Sequence, residues 1–108
     1  MQRERREAPR YEVELPFSFS GNEIAGGGIV TSLSKEGCAV KSEESVPPHS
    51  FIALRVQLPD PNAPLRVEVA HVRWSNVSTF GLEFIHLHAE EQERLHRFIV
   101  WLQTTQNN

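Results

Sequence analysis

YEVELPFSF (residues 11–19) sets Tyr11, Val13, Leu15, Phe17 and Phe19 against Glu12, Glu14, Pro16 and Ser18. Successive side chains of an extended chain point to opposite faces, so this period of two predicts a strand with one buried face. Pro16 has no N–H for a ladder, which assigns it to a sheet edge or a bulge.

Outward from this stretch the same pattern recurs. Gly21-Asn22 is expected to tip a turn, with Gly26 to Gly28 as flexible backbone. GIVTSLS (28–34) and CAVKS (38–42) read as strands separated by Lys35-Glu36-Gly37, where Gly37 is the position expected to need a positive φ. EESVPPHS (43–50) is a loop, because two prolines in series forbid regular pairing. FIALRVQL (51–58) gathers Ile52, Leu54, Val56 and Leu58 on one face, and PDPNAP (59–64) is a turn. LRVEVAHVRW (65–74) alternates Leu65, Val67 and Val69 against Arg66, Glu68 and Ala70, and TFGLEFIHL (79–87) follows a turn at Ser75-Asn76.

The period then changes. In HAEEQERLHRFIVWLQTTQ (88–106), Leu95, Phe98, Ile99 and Leu102 fall at helical spacing, and Glu90, Glu91 and Glu93 occupy the first turns, where the macrodipole favours negative charge. The helix is expected over about residues 89–104. About six short strands followed by one amphipathic helix predict an all-β domain, a small antiparallel barrel that hides its edges, with the helix over one opening.

Composition agrees with one soluble domain: 108 residues, 39% hydrophobic, 23% charged. The net charge of −3 speaks against a general nucleic-acid or membrane-surface binder. Charge is uneven, however: residues 1–10 carry four arginines and two glutamates, a balance of +2, and the remainder carries −5. The single cysteine, Cys38, fits a reducing compartment. The absence of a long apolar run or an apolar leader leads us to expect a cytoplasmic protein without membrane insertion.

Catalytic signatures are weak. His86 and His88 form an H-x-H pair with no accompanying cysteine or carboxylate set, so a surface role is preferred to metal binding. No G-x-S-x-G occurs, and the triple glycine at 26–28 lacks the Lys-Ser/Thr of a phosphate loop. Cys38, between Gly37 and Ala39 in a strand, reads as a small buried hydrophobe.

The arginines carry more. Arg6 and Arg10 stand four apart, and on an extended segment stiffened by Pro9 both can face one ligand. Guanidinium forks suit phosphate oxygens and stack on purines. Taken alone, such a pair near a terminus is a solvated tail. A second element is SLSKEG (32–37), in which Ser32 and Ser34, two apart, are expected to project hydroxyls from one face; its plain reading is a serine-rich hairpin.

REAPR (6–10) and SLSKEG (32–37) together resemble the two motifs of the PilZ domain, a bacterial receptor family for cyclic di-GMP: R-x-x-x-R and [D/N]-x-S-x-x-G. Arg6, Arg10, Ser34 and Gly37 match, whereas Ser32 stands where Asp or Asn is usual. The strand order and the closing helix extend the resemblance over nearly the whole chain.

The resemblance implies a six-stranded barrel with a C-terminal helix, a single domain over 11–108, and residues 1–10 acting as a flexible latch. It implies that Arg6 and Arg10 close over the phosphates and guanines of cyclic di-GMP, that Ser34 and Ser32 meet a guanine, and that Gly37 sets the turn. Arg5 would add a contact. Arg73 and Trp74 would border the same surface, although Trp74 suits core packing equally well. A hydroxyl at position 32 reaches less far than a carboxylate, and loss of one such hydrogen bond weakens binding by about 0.5–1.5 kcal/mol, roughly 2- to 15-fold.

The function implied is a non-enzymatic receptor with no cofactor that passes its ligand state to an effector protein in trans. The alternative is a PilZ-shaped protein–protein adaptor that has lost the nucleotide. An RNA-binding barrel is disfavoured by the negative charge and by the lack of aromatic-basic interleaving.

Overall fold

The alternation that opens the first strand is realised in three dimensions. In a computed structural model, which describes residues 8–106, Leu15, Phe17 and Phe19 are buried while Glu12, Glu14 and Ser18 face outward. The elements are β1 (Tyr11–Gly21), β2 (Ile24–Leu33), β3 (Gly37–Ser42), β4 (Phe51–Val56), β5 (Leu65–Ser75), β6 (Thr79–His86) and α1 (Ala89–Gln106). All neighbouring strands pair antiparallel, in the closed order β1-β2-β3-β6-β5-β4, with β4 returning to β1.

Closure abolishes sheet edges, so Pro16 needs another solution. The β1–β4 ladder begins only at Phe17, and the Pro16 carbonyl accepts the Gln57 N–H at 2.9 Å just beyond β4. The imide nitrogen of Pro16 thus lies at the end of that ladder, where no donor is required. The bulge in this strand lies earlier, between Glu12 and Leu15.

Three local expectations are corrected. Gly21 pairs with Ile24, so the first turn is Asn22-Glu23, with Glu23 at φ 59°. Gly26 to Gly28 are not flexible backbone but paired strand residues of β2. At Gly28 a Cβ would run into the Lys41 carbonyl, so close approach of β3 rather than mobility demands glycine there. In β5, register shifts at Val69/Ala70 and at Val72/Trp74 interrupt the alternation. Leu65 and Val67 point inward as expected, but past the first shift Ala70 and Val72 are the fully buried residues and Val69 is only half-buried. An extra residue opposite the partner strand reverses which side chains face the core.

Ile52, Leu54, Val56 and Leu58 all reach the core, as their spacing predicts. Phe19 stacks on Phe17 at 5.9 Å and meets Phe80 edge-on at 5.7 Å. Burying each such ring or leucine side chain contributes about 1.5–3 kcal/mol.

Helix α1 is two residues longer than its spacing suggests, and it packs against β5 and β1. Leu95 and Leu102 are buried, with Phe98 and Ile99 packed against the core. Polar contacts fix both ends: the Arg66 N–H donates to Glu91 Oε1 at 3.2 Å, and Gln106 Nε2 donates to the Glu12 carbonyl at 2.8 Å. Arg94 lies between Asp60 (3.6 Å) and Glu91 (3.5 Å), joining the helix to the β4–β5 connection. Among the described residues no helix is long and apolar enough to cross a membrane.

Candidate ligand-binding site

The serine-glycine turn connects β2 to β3. Its two hydroxyls sit in different environments. Ser32 is the penultimate residue of β2, half-buried, and pairs with Glu12 and Ala39. Ser34 lies past the strand end and is 3% exposed. Its Oγ accepts the Glu36 N–H at 3.0 Å and the Gly37 N–H at 3.2 Å, while the Ser34 N–H donates to the Gly37 carbonyl at 2.9 Å. A serine hydroxyl that bonds backbone two and three residues ahead forms a local turn, and here that is what Ser34 does.

Gly37 is required for a different reason from the one its turn position suggests. No glycine in the described chain has positive φ. Gly37 pairs with Glu83 on β6, and a Cβ at Gly37 would collide with the Leu82 carbonyl oxygen. The constraint is steric contact with the neighbouring strand, not conformational freedom.

Arg10 lies one residue before β1, and its Nη1 donates to Ser32 Oγ at 3.2 Å. The two motifs, separated by more than twenty residues of sequence, thus meet. Arg5 and Arg6, with the rest of residues 1–7 of the expected latch, lie outside the described residues.

Arg10 opens onto a cleft of about 720 Å³ whose walls include Ser34, Gly37, Trp74 and Glu83. Trp74 does not enter the core: its side chain is exposed, and the indole lies over Gly81, where a Cβ would run into Nε1. The cause is the second β5 shift, at Val72/Trp74. Strict alternation after buried Val72 would aim Arg73 out and Trp74 in, whereas the bulge leaves both on the cleft side. Arg73 Nη1 donates to Glu83 Oε1 at 2.9 Å.

The cleft carries Arg10, Lys35 and Arg73 against Glu36 and Glu83, a local excess of positive charge on a net-negative protein. Such a surface suits an anion with an aromatic moiety. Ser32 does not line the cleft itself and reaches it through Arg10. Lys35, Gly81 and Glu83 were not singled out by the sequence motifs. Gly81 and Glu83 do share the outward parity of β6, but only the pairing of Gly37 with Glu83 reveals where that face lies.

The remaining candidates stay outside the cleft. Cys38 is wholly buried, and desolvation, opposed by the charge of Arg10, pushes its thiol up to about 12. His86 and His88 meet edge-on at 5.4 Å, with His88 Nε2 3.3 Å from Glu68. Among the described residues no group of three or more His, Cys, Asp or Glu is arranged to hold a metal.

The sequence profile of the family described as PilZ domain matches residues 4–101. The chain belongs to the PilZ domain family. No curated protein matches this PilZ chain. Among solved structures it is similar to the inhibitor of motility MotI/DgrA of Bacillus subtilis, at 20% identity and a TM-score of 0.78 over 97% of this chain and 54% of that one. It therefore spans about half the length of that relative. It is also similar to the PilZ domain of CeSA from a cellulose-synthesizing bacterium, at 16% identity and a TM-score of 0.71 over 89% of this chain and 99% of that domain. At these identities the likeness establishes the six-stranded barrel with its closing helix.

Proposed function

We propose that this PilZ domain is a non-enzymatic bacterial receptor for cyclic di-GMP, acting in the cytoplasm, and that the ligand-bound N-terminal segment is read by an effector protein. The observation that supports this most directly is the Arg10–Ser32 hydrogen bond, which joins the two motifs at the mouth of a cationic, indole-lined cleft. Arg6 and Arg10 bind the phosphates and stack on the guanines, and Arg5 adds a further cation. Lys35 and Arg73 supply positive charge from the barrel, and Trp74 offers a stacking face. Ser34 and Gly37 shape the turn that presents this surface. Ordering a short segment on binding creates a new surface without a catalytic step.

The second reading, a nucleotide-free adaptor, draws on Ser32 in place of Asp or Asn and on the engagement of the Ser34 hydroxyl within its own turn. Calorimetric titration of cyclic di-GMP into wild type and into the Arg6→Ala/Arg10→Ala double variant separates the two. The receptor reading expects saturable binding that weakens at least about 100-fold in the double variant, since each charge-assisted hydrogen bond contributes about 1.5–3 kcal/mol. No heat from wild type at about 100 μM ligand, a concentration that reports even weak micromolar affinity, overturns it in favour of the adaptor.

A further inference from the structure

With serine at position 32, the motif has no carboxylate or amide there to accept hydrogen bonds from a guanine edge, and Ser32 does not line the cleft. A different carboxylate does. Glu83 lies on β6 opposite Gly37, at the foot of the serine-glycine turn. Its neighbours Leu82 and Phe80 point into the core, so Gly81 and Glu83 share the outer face of the strand. Gly81 carries the indole of Trp74 directly on its backbone. One strand face therefore presents a stacking platform and, one residue pair further along, a carboxylate.

That carboxylate is oriented in advance. Arg73 Nη1 holds Oε1 at 2.9 Å, while Oε2 takes no partner among the described residues. The arginine also offsets the negative charge that would otherwise repel a phosphodiester nearby. The other carboxylate of the cleft, Glu36, is exposed at the turn tip, and only its backbone is held, through the bonds to Ser34 Oγ and the Phe84 N–H.

We propose that Glu83 is the guanine-specificity residue of this chain. A purine stacked on Trp74 donates its N1–H and 2-amino hydrogens to the Glu83 carboxylate, which takes the part left vacant by Ser32. Guanine alone among the common purines offers both donors on one edge; hypoxanthine keeps N1–H and lacks the 2-amino group. The inference rests on the cyclic di-GMP reading and adds the group that selects the base.

The test titrates cyclic di-GMP and cyclic di-IMP, its hypoxanthine counterpart, into wild type, Glu83→Ala, Glu83→Gln and Glu36→Ala. Wild type is expected to prefer the guanine ligand by roughly 10-fold or more, the value of one hydrogen bond to a charged acceptor. In Glu83→Ala the preference shrinks to within about 3-fold, because cyclic di-GMP loses two hydrogen bonds to the carboxylate and cyclic di-IMP only the one from N1–H, so the guanine ligand is weakened the more. Glu83→Gln preserves the side-chain shape, guards against a folding failure, and is expected to lower the preference as well. Equal weakening of both ligands in Glu83→Ala, an undiminished preference in Glu83→Gln, or collapse of the preference in Glu36→Ala overturns the assignment and leaves the receptor reading standing. Wild type that binds cyclic di-GMP without preference does the same. Wild type that binds neither ligand overturns the receptor reading, and the assignment falls with it.

Discussion

Replacing Ser34 with alanine distinguishes a turn-forming residue from a ligand contact, because the first role is exercised in the empty protein. The Ser34 hydroxyl accepts the Glu36 N–H at 3.0 Å and the Gly37 N–H at 3.2 Å from a side chain that is 3% exposed. Alanine is close to isosteric, so the cost arises from two stranded donors. The Gly37 N–H is buried, and leaving it unpaired costs about 1–3 kcal/mol; the part-buried Glu36 N–H regains some water and adds roughly 0.5–1.5 kcal/mol. The expected destabilisation is about 2–4 kcal/mol, a large share of the 5–15 kcal/mol typical of a domain. For a chain of 108 residues this corresponds to a Tm lower by on the order of 10–20 °C. Urea and thermal melts of ligand-free wild type, Ser34→Ala and Ser32→Ala measure it. Ser32→Ala removes only an exposed contact with Arg10 and should shift stability by less than about 0.5 kcal/mol. If ligand-free Ser34→Ala melts within about 2 °C of wild type, the turn does not depend on this hydroxyl and the reasoning is wrong.

Four further outcomes are expected. Gly37→Ala drives a methyl group into the Leu82 carbonyl, and because both groups are backbone-bound it should destabilise by about 3 kcal/mol or more; near-native circular dichroism and Tm would contradict this. The Cys38 thiol should resist alkylation at pH 8 in the native state and react readily in urea. Its ionisation is held from 9.0 up to about 12 in the fold, so its contribution to stability is complete below pH 9 and is lost as pH rises towards 12. Between pH 8 and 10.5 wild type should lose about 2 kcal/mol more stability than Cys38→Ala, at roughly 1.4 kcal/mol per pH unit above the unfolded-state value; equal losses in urea melts would refute the assignment. Ser32→Asp should tighten cyclic di-GMP binding by roughly 2- to 15-fold in calorimetry, and an unchanged or weaker affinity contradicts the account of that position.

What local chemistry dictates was legible from the chain itself. Period-two alternation from Tyr11 to Phe19 and from Ile52 to Leu58, and helical spacing from Leu95 to Leu102, follow from backbone geometry alone, so the strand series, the closing helix and most of the core could be read off. The REAPR and SLSKEG motifs were legible for the same reason, since each is a short stretch with its own chemistry, and among the described residues Arg10 of the first bonds Ser32 of the second. The tertiary structure decided everything that depends on a neighbour across a ladder. Two register shifts in β5 moved Ala70 into the core and Trp74 out of it. Gly37 is glycine because of the Leu82 carbonyl, and the Ser34 hydroxyl is engaged by the Glu36 and Gly37 N–H groups of its own turn, past the end of β2. Glu83 entered the site through its pairing with Gly37, more than forty residues away in sequence. A bulge or a cross-strand contact is set by the packing of the whole barrel, and no window of residues small enough to be read as a pattern contains it.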